Sequence, residues 1–147
     1  MRRNGFSMVE VLFVLILVGL IATIGFPRLQ RGLEKQNVRS SKAMIATLAA
    51  TARGTAIQRG CSATLNITGD SVWVTACGVN PPAALVQVGT KKLVGSTYSV
   101  QLSSSSPSIV YDPRGISTVF QPTTIRVIGP NYQDSVVINE LGRVKRQ

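Results

Sequence analysis

The chain has 147 residues, sixteen Lys and Arg against six Asp and Glu, a formal charge of +10 and 44% hydrophobic residues. That is one domain of ordinary size with enough apolar material for a core. The sequence has no histidine, which excludes Ser-His catalysis, histidine general bases and histidine-ligated metals. Two cysteines cannot make a four-thiolate zinc site, and six scattered carboxylates do not form a paired-carboxylate hydrolase. Neither a GxxxxGK loop nor a GxGxxG fingerprint occurs. No catalytic residue, metal or cofactor is expected. A binding, structural or assembly protein remains.

Residues 1–5 form a short leader carrying Arg2 and Arg3, and from Val11 to Pro27 no residue is charged. Positive charge before an apolar run reads as a signal peptide or as an anchor with its basic end in the cytoplasm. An ordinary signal peptide does not fit. No Ala-x-Ala-like site follows the run, Arg28 and a helical pattern do, and Glu10 sits beside the apolar stretch. A lone carboxylate in hydrocarbon costs a few kcal/mol and needs a partner.

Gly5-Phe6-Ser7-Met8-Val9-Glu10, followed by the apolar run and Pro27, resembles the class III signal of type IV pilins and pseudopilins. The resemblance implies that a prepilin peptidase cuts after Gly5 and methylates the new N-terminus at Phe6. Glu10 would then pair with the terminal amine of a neighbouring subunit, and a second charge would meet the buried one. Loss of the leader takes the charge from +10 to +8.

Past Pro27 the helical period continues through Leu29, Leu33, Met44/Ile45, Leu48, Ala52 and Ala56, with basic residues on the other faces and Gly60 as a stop. One helix from Phe6 to Arg59 would run roughly 80 Å, apolar all round in its first half and amphipathic in its second. Pro27 is expected to kink it. The period then changes to two. Ser62–Thr68 and Ser71–Thr75 alternate about Gly69-Asp70, which is a hairpin. Further strands are expected at Leu85–Val88, Tyr98–Leu102, Ser108–Tyr111, Thr118–Phe120, Thr124–Ile128 and Ser135–Ile138. Loops are expected at Pro81-Pro82 and Ser103–Ser106, and turns at Asp112–Gly115 and Gly129–Asn131. Trp73 and Tyr98 read as core.

This helix-then-strand order is the α+β type IV pilin fold that the resemblance implies: one long N-terminal helix packed on an antiparallel β-sheet head. Its expected parts are a leader (1–5), a hydrophobic transmembrane or filament-core helix (6–27), an amphipathic helix (28–60) and a periplasmic β-rich head (61–147). Ser108-Ile-Val-Tyr-Asp-Pro-Arg-Gly115 and Leu141-Gly142-Arg143-Val144 are similar to the GspH/FimT family of minor pilins and pseudopilins, with Tyr111 where Phe is more usual. The hairpin brings Cys61 and Cys77 together. In the periplasm a bridge between them forms readily and contributes about 3 kcal/mol.

The chain ends Gly142-Arg143-Val144-Lys145-Arg146-Gln147. It resembles the Gly-Arg-x-x-Arg tail of FimT-type minor pilins that bind DNA during natural transformation. By that resemblance Arg143 and Arg146 contact DNA, with Lys145 adding charge. Arginine forks grip phosphate without reading sequence. Lys91, Lys92, Arg114 and Arg126 are further basic candidates, and residues 34–147 hold twelve basic against five acidic side chains. The expected partners are other pilin subunits, prepilin peptidase, the inner membrane and DNA. The expected location is the inner membrane, with a periplasmic head, and then a filament. The alternatives are a minor pilin that only primes assembly and a type II secretion pseudopilin that contacts secreted proteins. A Ser-Lys enzyme is the one catalytic class left without histidine, and no Ser-x-x-Lys helix supports it.

Overall fold

The computed structural model describes residues 7–78, 84–119 and 121–146, with backbone alone at Arg146. The expected processing residues Gly5 and Phe6 lie outside the described residues, as do Pro81, Pro82 and Phe120. The chain divides into two compact units, Met1–Leu33 and Glu34–Gln147.

The first unit is the N-terminal part of helix α1 (Met8–Arg59). Every described residue in it is exposed, including the apolar side chains from Val11 to Phe26. The helix is long and apolar enough to cross a membrane. Glu10 lies in its first turn, where a carboxylate meets the positive end of the helix dipole. There the Ser7 carbonyl accepts hydrogen bonds from the backbone N–H groups of Glu10 and Val11. Pro27 lies inside α1.

The second unit opens with the amphipathic part of α1. Val38, Ser41, Lys42, Ile45, Ala49, Ala52 and Ala56 are buried at three- and four-residue steps. Met44 and Leu48 flank that stripe half-buried. Gly60 ends the helix at φ +63°: the Cys61 N–H donates to the Ala56 carbonyl and the Gly60 N–H to that of Ile57. This is a Schellman cap, and it needs the left-handed backbone that glycine adopts at little cost.

Two antiparallel sheets follow. Sheet A has the order β3-β2-β1-β5, built from β1 (Ala63–Thr68), β2 (Ser71–Cys77), β3 (Leu85–Leu93) and β5 (Ser108–Tyr111). Sheet B has the order β4-β6-β7-β8, built from β4 (Gln101–Ser104), β6 (Thr123–Ile128), β7 (Gln133–Ile138) and β8 (Val144–Arg146). The expected hairpin is β1–β2, paired from Ala63↔Ala76 to Thr68↔Ser71. Cys61 and Cys77 form the expected disulfide, with Cα atoms 6.3 Å apart. Inward residues of both sheets and the buried stripe of α1 make one core, with Leu65, Val74, Ile109, Tyr111, Ile125 and Val136 almost wholly enclosed.

Five local expectations differ from the structure. β3 continues to Leu93, because pairing with β2 resumes at Val72↔Lys92 and Ser71↔Leu93 past an irregularity. Tyr98 ends a short helix, α2 (Val94–Tyr98), and still packs on the core. Ser103 and Ser104 belong to β4, where Arg126 and Ile125 are their register partners. Thr118 and Val119 form no strand: Ser117 makes one isolated bridge to Tyr111, and the Thr118 N–H donates to the Val110 carbonyl. Trp73 is on the outward side of β2, half-buried, with Lys91 Nζ 4.5 Å from its ring centroid. Its aromatic face holds a cation rather than core side chains.

Charges within the second unit give its stability a defined pH dependence. Glu34 accepts from the backbone N–H groups of Asn131 and Tyr132 and from the Asn131 amide, and its carboxyl is held below its ordinary value, chiefly by the Asn131 N–H. Asp112 is likewise held low, first by the Ile116 N–H and then by Arg114. Burial pushes Asp134 up, but the Lys42 ammonium at 2.6 Å and the Ser135 N–H outweigh it and hold the carboxyl low. Groups lowered in the fold stabilise it above their ordinary values of 4.5 and 3.8 and stop doing so as pH falls through their folded values. Burial pushes Tyr111 the other way, up to about 12, against the opposing charge of Arg53. That contribution is complete below the ordinary value of 10.0 and is lost as pH rises towards 12. Thermal melts across pH should therefore show a plateau from about pH 5 to 10 that falls on both sides. A Tyr111→Phe variant should keep the acid fall and lose much of the alkaline one.

Candidate nucleic-acid interface

The basic C-terminus is a strand. Val144, Lys145 and Arg146 of β8 pair with Ile138, Val137 and Val136 of β7. No strand was expected at this tail, and the pairing follows from the turn before it. The Gly142 N–H donates to the Asn139 carbonyl (2.8 Å), and the Asn139 N–H to the Arg143 carbonyl (3.0 Å). The Arg143 N–H donates to Asn139 Oδ1 at 2.7 Å. Gly142 takes φ +73°, and a Cβ there would sit 2.6 Å from Cε1 of Tyr111. Glycine thus serves as the hinge that packs the hairpin onto the buried tyrosine ring. The Gly-Arg pair seen in the sequence divides its work: Gly142 sets the turn and Arg143 leaves it exposed.

Alternation along the strands shows which other cations share the tail's surface. Val137 stands opposite Lys145, and Ser135, two residues away on the same face, stands opposite Arg126. Lys145 and Arg126 are both exposed. Two strand spacings and one two-residue step separate them, about 12 Å between Cα atoms. Arg126, named in the sequence without a location, therefore lies on the face of Lys145. Lys91 and Lys92 belong to sheet A and do not. Arg114 Nε is held at 2.8 Å by Asp112.

Arg143 also lines an open groove of about 470 Å³ with Ala46, Ala50, Arg53, Gly142 and Val144. Arg53 was absent from the expected set. Its helical spacing to Ala46 and Ala50 is visible in the sequence, but that spacing does not tell which side of α1 receives the tail. Among the described residues no cluster of His, Cys, Asp or Glu is placed to hold a metal ion.

One long helix leading into a head of antiparallel sheets is the architecture of type IV pilin-like subunits. Two crystal structures of the type IV minor pilin FimU of Pseudomonas aeruginosa strain PAO1 share it. One, in space group P21, matches with a TM-score of 0.62 at 11% identity, over 78% of this chain and 90% of that one. The other, in space group P65, matches at 0.58 and 11%, over 74% and 91%. At that identity the likeness is one of fold. No curated protein matches the sequence. The family model described as Type II transport protein GspH matches residues 44–142, and the chain belongs to that family. It is a type IV pilin-like minor pilin or pseudopilin of GspH/FimT type.

Proposed function

We propose that this chain is a minor pilin of a type IV pilus that binds DNA for uptake in natural transformation through Arg143, Lys145 and Arg146. The observation that carries this reading is the C-terminal hairpin. A folded hairpin presents Arg143 at its turn and Lys145 on its strand to solvent, with Arg126 on the same face as Lys145. A fixed backbone lowers the conformational entropy that each side chain loses on gripping a phosphate. Contacts of this kind position DNA without reading its sequence.

Assembly rests on the other end of the chain. Cleavage after Gly5 and methylation of Phe6 would create the N-terminus, and residues 6–27 would leave the inner membrane for the filament core. Glu10 there would meet a neighbour's amine, with Pro27 marking the end of the apolar run. The exposed apolar surface of this segment supports that use, since lipid or neighbouring helices would cover it. A type II secretion pseudopilin is the second reading, and the family description favours it.

Titration of the full chain in non-ionic detergent with duplex DNA separates the two. Wild-type binding is expected to weaken steeply with salt. The Arg143→Ala/Arg146→Ala protein is expected to lose at least tenfold in affinity, and its log K against log salt slope should fall by about 1.8. Equal binding by both proteins contradicts the Arg143/Arg146 site and means basic attraction elsewhere on the head; binding by neither contradicts the DNA reading and favours the pseudopilin.

A further inference from the structure

Several of the head's cations have partners within the fold, and two of those without one among the described residues share a groove. Lys42 is paired with Asp134, Arg114 with Asp112, and Arg59 donates to the Cys77 carbonyl at 2.7 Å. Lys35 and Lys91 lie over the rings of Tyr132 and Trp73. Arg53 and Arg143 have no side-chain hydrogen bond or ion pair among the described residues, and they line the same groove. Arg53 is half-buried. Its stem lies against Gly115, where an added Cβ would come 3.1 Å from Arg53 Cγ. The half-buried side chain carries a guanidinium with no acceptor among the described residues, which an anion in the groove could supply. The rest of the groove is small and without charge: Ala46, Ala50 and Gly142, beside Val144. A bulky, flexible backbone could approach there without a clash.

We propose that Arg53 of α1 and Arg143 of the C-terminal hairpin grip one phosphodiester of DNA from two sides of this groove. The inference rests on the DNA reading of the tail and adds to it a contact from the helix. The site would then not be a tail alone but a helix–hairpin clamp. One phosphate would be fixed in the groove, and Lys145 would meet the strand further along. Two forks on one phosphate make the grip geometric as well as electrostatic, so lysine should not replace arginine fully.

The test uses the full chain in detergent with duplex DNA at two salt concentrations. Arg53→Gln keeps the stem over Gly115 and removes the charge. It is expected to weaken binding about tenfold and to lower the salt slope by about 0.9. Arg53→Lys should recover most of the slope and only part of the affinity. The losses of Arg53→Gln and Arg143→Gln should not multiply in the double variant, because both act on one phosphate. Wild-type binding by Arg53→Gln, with binding still lost in Arg143→Ala/Arg146→Ala, overturns the clamp and leaves the DNA reading standing. Losses that multiply overturn the shared grip. Wild-type protein that does not bind DNA overturns both.

Discussion

Gly142→Ala is expected to cost the head about 3 kcal/mol, roughly the sum of a left-handed backbone and an overpacked contact. Gly142 has φ +73°, where an L side chain is strained. Its new Cβ would be directed at Cε1 of Tyr111, 2.6 Å away, and would also come 3.4 Å from the Ser117 nitrogen. Tyr111 is fully enclosed and pairs through its backbone with Ala63 and Ser117, so its ring has little room to give way. The hairpin would have to lift, taking Arg143 and β8 with it. Urea melts should show a lower midpoint with an unchanged slope, and DNA affinity should fall although no basic residue has been touched. A cost below about 1 kcal/mol would mean that the hairpin is not packed on Tyr111 as described.

The second large effect concerns the other edge of the head. Cys61→Ser with Cys77→Ser should remove about 3 kcal/mol by the loop-closure argument for a bridge of this span. Cys61 directly follows the helix cap, and Cys77 closes the hairpin that begins two residues later. The bridge therefore joins the end of α1 to sheet A. Arg59 Nη1, donating to the Cys77 carbonyl, ties the same two elements without covalent help. The head should still fold, with a melting temperature lower by roughly 10 °C. Its DNA affinity should remain, since the basic strand belongs to sheet B. Unchanged melting in the variant and in reduced wild-type protein would contradict the account.

Elements with strong periodicity were legible in the sequence. The apolar run, the helical stripe to Ala56, the Gly60 stop and the Gly69-Asp70 hairpin all appear in the structure, and with them the disulfide. Elements defined by distant partners were not. Residues Val144–Arg146 are short and charged, and only pairing with β7 makes them a strand. Ser103 and Ser104 look like loop until β6 is alongside. Leu85–Leu93 is an exposed edge strand, so no alternating burial shapes its sequence, and its two lysines protect an open edge. α2 has five residues and no side-chain cap, too little to signal a helix. Trp73 was misplaced because a large aromatic usually means core, whereas here its face serves a lysine. In the candidate site the tail residues were visible as a motif. Arg53 was not, because its role depends on which side of α1 the last hairpin meets.

The filament-subunit reading is tested most directly by the mass of the mature N-terminus, measured on protein made in cells with and without an active prepilin peptidase. The expected result is a chain that begins at Phe6 and carries one added methyl group, with Met1–Gly5 retained only in cells that lack the peptidase. A chain still starting at Met1 in both cells, or one cut beyond Pro27 and released from its apolar helix, would contradict it.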